Sequence, residues 1–206
     1  MYAADGRQLG ARAHRTRQRL LDATAQLLAE QGILELRVVD VTRLVGASPA
    51  TFYQYFADVD DAVLVLAEQA AIDVEPLRSM LAESWHGPDS HARSIEFVQA
   101  FRRYRIEHEA VLRVRDLKAE EGDPRYRQVR QHATLGLMAE LVARIGESQA
   151  AGRVAAELNA YAAAAAMLAM VERLLAYERE FGRRGVELDA MLRTIASLLH
   201  DTIVGA

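Results

Sequence analysis

No cysteine occurs in this 206-residue chain, which excludes disulfides and thiolate metal sites and fits a reducing compartment. Proline is scarce, with four at positions 49, 76, 88 and 124, and polar–apolar alternation is nowhere sustained between turn residues, so strands are not expected. Long apolar runs are missing as well. The longest, Ala160 to Val171, has 12 residues, against the roughly 20 needed to cross a bilayer. It reads as a buried helix, and no membrane association is expected. The opening residues, "MYAADGRQLGARAHRTRQR", hold no apolar stretch of signal-peptide length, so the cytoplasm is the expected compartment.

What is present suits a globular protein: 51% hydrophobic and 26% charged residues exclude disordered and fibrous classes. A net charge of -4 argues by itself against a nucleic-acid partner. The distribution argues the other way. Residues 1–20 carry Arg7, Arg12, Arg15, Arg17 and Arg19 against Asp5 alone, a basic patch on an acidic whole.

Apolar residues recur at helical spacing throughout, which predicts an all-α protein. The first helix spans Arg15 to Gln31, with Leu20, Ala23, Leu27 and Leu28 on one face and Gly32 as its stop. Short helices over Val38–Val45 and Pro49–Tyr55 follow, then longer ones from Asp58 to Val74, Ser90 to Glu107, Glu109 to Glu120, Pro124 to Gln149, Ala155 to Arg179 and Leu188 to Ile203. The expected architecture is a three-helix head, residues 1–57, joined to a larger helical body, residues 58–206, with about nine helices in all.

The stretch "VGASPATFYQYF", Val45 to Phe56, has the dimensions of a helix-turn-helix. Gly46 supplies the sharp turn, Ser48 caps the second helix, and Pro49 suits its first position because no helical acceptor awaits an N–H there. Phe52 and Phe56 are four apart and share a face, which predicts packing on Leu27, Val41 and Leu44. Ala50, Thr51, Tyr53, Gln54 and Tyr55 then form an outward surface of small, hydroxyl and amide groups fit for a major groove, where Gln54 bonds a base edge and the tyrosine hydroxyls reach phosphates. The alternative is that all four rings are packing residues of an ordinary helical pair.

At these residues the chain resembles the TetR (tetracycline-repressor) family of bacterial transcription regulators. The resemblance runs from Leu20 to about Leu66: "LLDATAQLLAEQG" is similar to the first helix, "VVDVTRLVGAS" to the second, "PATFYQYF" to the recognition helix and "ADVDDAVLVL" to the start of the fourth. "HEAVLRVRDLKAEEGDPRY" and "MVERLLAYERE" look like segments of actinobacterial members. The resemblance implies a homodimeric repressor on a palindromic double-stranded operator, released by a hydrophobic small-molecule effector. It implies groove contacts from Val39, Pro49, Ala50, Thr51 and Tyr53, and phosphate contacts from Thr16, Tyr53 and Tyr55. Two departures stand out. Arg37 occupies the place of the Thr or Ser that caps the family's second helix, and Val59, flanked by Asp58, Asp60 and Asp61, occupies that of a phosphate-contacting lysine.

In the body, Tyr161, Ala164, Leu168, Val171 and Leu175 form one stripe, and Leu188, Met191, Leu192, Ile195, Leu198 and Leu199 another. They suit a four-helix dimer interface through the last two helices, as the family forms, or burial in the subunit's own core. Trp85, Phe97, Phe101, Tyr104, Leu112, Leu135, Met138, Leu141, Met167 and Met170 would line an apolar effector cavity or form plain core.

No phosphate-cradling loop, HExxH or serine-elbow motif is present, so neither enzymatic activity nor a cofactor is expected. No two of the six histidines are spaced i, i+4, and no metal site is expected; His86 and His91 straddle a Gly-Pro turn, and Glu107-His108-Glu109 reads as a helix junction. Two other readings remain: a helical ligand-binding protein that has lost DNA recognition, which the acidic cluster at 58–61 would explain, and, last, a helical enzyme.

Overall fold

The computed structural model describes residues 10–205, so Asp5 and Arg7 of the basic patch lie outside the described residues. Eleven helices and no strand occur among them: α1 (Ala11–Gln31), α2 (Val38–Val45), α3 (Pro49–Tyr53), α4 (Val59–Ile72), α5 (Glu75–Ala82), α6 (Ser90–Glu107), α7 (Glu109–Glu121), α8 (Pro124–Ala150), α9 (Ala160–Ala176), α10 (Glu178–Arg183) and α11 (Leu188–Val204). The fold is all-α, as the spacing predicts, and none of these helices is long and apolar enough to cross a membrane.

Several boundaries differ from expectation for identifiable reasons. α1 starts four residues early, at Ala11, after an extended Gly10. α3 stops at Tyr53, and the Tyr55 N–H bonds the Phe52 carbonyl in a tighter turn. α5 was not foreseen because Pro76 read as a break; it sits in the first turn, where a missing N–H costs nothing. The helix expected from Ala155 begins at Ala160, where the Asn159 side chain accepts from the Ala162 N–H at 2.9 Å. It ends at Ala176, and α10 is a separate short helix.

The described residues form two compact units, 10–72 with 108–131, and 73–107 with 132–205. In the first, α1 packs on α2, α4 and α7, and α4 packs on α7. Leu20, Leu21, Val41, Phe52, Phe56, Val63 and Leu112 are fully or almost fully buried there. Asp60 is its electrostatic node. Its carboxylate meets Lys118 Nζ at 3.0 Å and an Arg125 guanidinium nitrogen at 2.8 Å, and its carbonyl accepts the Tyr126 hydroxyl at 3.0 Å. Arg125 is held in turn by Asp123 at 2.7 Å, and the Arg125 hydrogen bonds depress the Asp123 carboxyl to about 2.

The second unit is built on α6. Trp85, Phe97, Phe101 and Tyr104 stand edge to face with ring centroids 6.0, 6.0 and 6.1 Å apart. The Trp85 indole donates to the Met80 carbonyl at 3.1 Å, so the ring is buried without an orphaned N–H. α6 and α11 share a reciprocal polar clasp, Ser90 with His200 at 3.0 Å and His91 with Ser197 at 3.1 Å. His86 instead lies against Arg153, and no group of three or more His, Asp or Glu side chains suited to a metal ion occurs among the described residues.

Burial, and then the Asp60 charge, raise the Tyr126 phenol above its ordinary value of about 10. A raised phenol contributes stability that is complete below the unfolded pKa and is lost as pH climbs above it. Denaturant unfolding at about pH 9 and about pH 11 is expected to show a steeper loss for the parent than for Tyr126→Phe; parallel losses would mean that the phenol ionises as freely folded as unfolded.

Candidate nucleic-acid interface

The interface is built by a turn that stops one helix and a cap that starts the next. Gly46 is left-handed, with φ 65° and ψ 37°, a conformation that a Cβ disfavours. There the Gly46 N–H bonds the Arg43 carbonyl at 3.2 Å and the Ala47 N–H bonds the Thr42 carbonyl at 2.9 Å, the paired closure of a glycine-terminated helix. Two residues on, Ser48 Oγ accepts from the Thr51 N–H at 3.2 Å and pairs with the Thr51 hydroxyl at 3.0 Å. Pro49 occupies the first helical position.

Between these, α3 becomes two-sided. Phe52 and Phe56 have no exposure and their rings meet at 5.3 Å. Tyr53 is 54% exposed, and Pro49, Ala50 and Gln54 are exposed beside it. Val39 of α2 is also exposed, whereas Thr51 and Tyr55 are half-buried. Thr16 is half-buried too, and its hydroxyl donates to the Arg12 carbonyl at 3.2 Å. Of the residues expected to receive the aromatic pair, Val41 is buried and Leu27 half-buried, but Leu44 is 48% exposed. The reason is the rotation of α2, which turns Val41 and Thr42 inward and carries Leu44 out with Arg43.

The basic residues of α1 divide into two sets. Arg17 lies over the Phe56 ring at 5.0 Å; burial lowers its pKa, opposed by Asp61 and Glu68. Arg19 donates to the Val45 carbonyl at 2.7 Å, closing the end of α2. These two brace the helix pair. Arg12 and Arg15 are exposed and make no ion pair among the described residues. Sequence spacing alone does not separate the sets.

The acidic cluster has local work. Asp58 accepts from the Asp61 N–H at 2.8 Å, Asp61 accepts from the Ala57 N–H at 3.0 Å, and Asp60 is paired as described above. Carboxylates here start α4 and complement its dipole.

A short helix-turn-helix with its apolar rings inward and its polar edge outward, followed by a helical body, is matched by two family models. Residues 20–61 match the bacterial regulatory proteins, tetR family, and residues 77–206 match the tetracyclin repressor-like C-terminal domain. The chain belongs to the TetR family. Solved structures with the same fold include GusR of Salmonella enterica, 22% identical over 92% of this chain and 95% of that one, with a TM-score of 0.65. Others are the fatty acid degradation regulator FadR of Bacillus halodurans, at 18%, 94%, 96% and 0.67, and FadR of Bacillus subtilis in complex with stearoyl-CoA, at 15%, 92%, 98% and 0.66. This TetR-family protein thus carries the DNA-binding helix-turn-helix and the ligand-binding domain of a transcription regulator.

The other expected site residues are only partly brought together. Trp85, Phe97, Phe101 and Leu141 are buried in the core of the second unit, with Tyr104, Met138, Met167 and Met170 packed against it. Leu112 is buried in the first unit, and Leu135 is 70% exposed on α8, between the inward positions Ala133 and Leu137. The two proposed dimer stripes are largely the subunit's own core: Ala164, Leu168, Val171, Leu175, Met191, Leu192, Ile195 and Leu199 are buried within it. Three members of those stripes, Tyr161, Leu188 and Leu198, are exposed, and Ala165 and Ala169 lie on the outward face of α9 with Tyr161.

Arg37 makes no side-chain cap on α2, although its extended backbone, φ -126° and ψ 145°, is what a cap requires. Arg37→Ser is therefore expected to raise unfolding free energy by about 1 kcal/mol, read from the urea midpoint; an unchanged midpoint would show that no cap forms.

Proposed function

We propose that this regulator is a homodimeric transcriptional repressor that reads a palindromic operator with α3 and leaves it when a hydrophobic effector binds the helical body. The observation that carries the reading is the two-sidedness of α3, with Phe52 and Phe56 fully buried and Tyr53 exposed one residue away. In this reading residues 1–57 bind DNA and residues 58–206 hold the effector and the dimer interface, in the cytoplasm where the operator is.

Pro49, Ala50 and the Thr51 methyl approach base edges, with Val39 at the margin, and Gln54 bonds a base edge. Tyr53 and Tyr55 donate to phosphates. Thr16, its hydroxyl proton already engaged by Arg12, contributes through backbone proximity. Arg12 and Arg15 take the neutralising role that a lysine at 59 would have had. The capping roles of Asp58 and Asp61 and the ion pairs of Asp60 give the acidic cluster a structural purpose, which supports the DNA-binding reading over one without DNA.

Dimerisation through the outward faces of α9 and α11 is supported by Tyr161, exposed at 67%, and by the alanines beside it, which let a second helix approach closely. Two heads on one two-fold axis read half-sites about 34–36 Å apart or a multiple of that. An effector with an apolar chain is supported by the Trp85–Tyr104 aromatic row and its methionines, and by the stearoyl-CoA held by the similarly folded Bacillus subtilis protein.

Capture of genomic fragments by the purified protein tests the reading. An enriched inverted repeat is expected, and recovery of no common sequence would sink it. On that operator, Tyr53→Phe is expected to weaken binding about two- to tenfold with the fold intact; equal affinity removes the hydroxyl from the contact. Arg12→Gln and Arg15→Gln should each lower the salt slope of binding by about one, a change absent if these arginines do not meet phosphate.

A further inference from the structure

Trp85, Phe97 and Phe101 are at most 2% exposed, so a ligand reaching these rings has to displace a helix. α5 borders them. Val74, Leu77 and Leu81 turn one of its faces into the same core, and it starts without a side-chain cap. A helix of eight residues draws its stability from what it touches, not from its own turns.

The C-terminal end of α5 is tied to α6. Glu83, the residue after the helix, meets Arg93 at 2.6 Å, and Trp85, whose indole donates to the Met80 carbonyl, stands against Phe97. The middle of α5 reaches α8 through Arg78. Its Nε donates to Glu75 of the same helix at 2.8 Å, and one of its terminal nitrogens donates to Glu140 of α8 at 2.9 Å. On the way the Arg78 methylenes cross Gly136, where a Cβ would stand 2.7 Å from Arg78 Cδ. Glycine inside a helix gives up stability relative to alanine. At 136 the space without a side chain is the space that the arginine fills.

We propose that α5 is the gate of the effector site, swinging on its α6 end and bolted shut by Arg78 laid across Gly136 to Glu140. This rests on the reading that an apolar effector binds among the Trp85–Tyr104 rings. A partly exposed ion pair is weak, and a gate needs a bond that holds in the free protein and yields to a ligand. A purely structural pair makes Gly136→Ala a stabilising change throughout α8 with no effect on α5. A bolt makes the same substitution loosen α5, because the new methyl pushes Arg78 aside.

Amide hydrogen exchange of the full-length protein tests the bolt with Glu140→Ala and Gly136→Ala, both on α8, which leave the sequence of α5 untouched. Residues 77–82 are expected to exchange about two- to fivefold faster in both variants, with α6 and α11 unchanged. Exchange that is unaltered in α5, or quickened equally in α6 and α11, overturns the bolt. Association of dansyl-tagged undecanoate, followed by stopped-flow fluorescence, should quicken by the same factor; faster exchange with an unchanged association rate means that ligands enter elsewhere and overturns the gate alone. Dye that binds neither parent nor variants removes the apolar-chain effector reading, and the gate falls with it.

Discussion

Phe52 and Phe56 reach zero exposure from a helix of only five residues and the turn that follows it. A helix that short has no stability of its own, because nucleation is unfavourable and there is almost no propagation to offset it. Its existence and its rotation therefore come from those two rings, packed within a unit where α1, α2, α4 and α7 meet. Once they are inward, Tyr53 and Gln54 have no choice but to face out. The Ser48 cap and the Gly46 turn set where the helix begins; the rings set which side of it faces outward.

Charge in this protein is organised around that head. The chain is acidic overall, yet its carboxylates near α3 are occupied: Asp58 caps α4, Asp61 bonds the preceding turn, and Asp60 holds Lys118, Arg125 and Tyr126 together. Cations are divided in the same way. Arg17 and Arg19 brace the helix pair, and Arg12 and Arg15 remain available on the surface of α1. Pairing with Lys118 and Arg125 offsets the field of Asp60, whereas Asp58 and Asp61 keep their charge and face the positive end of the α4 dipole.

The second unit shows how one stripe can be mistaken for another. Leu168, Val171 and Leu175 follow helical spacing because they fill the subunit's own core with Ile195 and Leu199. The opposite side of α9 is exposed and rich in alanine. Periodicity reports that a helix has a buried face, and carries no information about whether the atoms burying it belong to the same chain.

The sequence by itself determined the all-α class, the turn at Gly46, the cap at Ser48 and the inward and outward residues of α3, because each depends on neighbours within a few positions of the chain. It also held the family resemblance in those same residues. Pro76 and the Asn159 cap were written there too, but the helices they begin were misjudged, since a proline in a first turn and a proline at a break look alike without the packing around them. Only the tertiary structure decided that α7 and the start of α8 join the head, that Leu44 and Leu135 face outward, and that Asp60 meets Tyr126 across 66 positions of chain. Those outcomes rest on contacts between segments far apart in sequence, whose local patterns are satisfied equally well by several partners, and the choice among partners is made only when the whole core is packed.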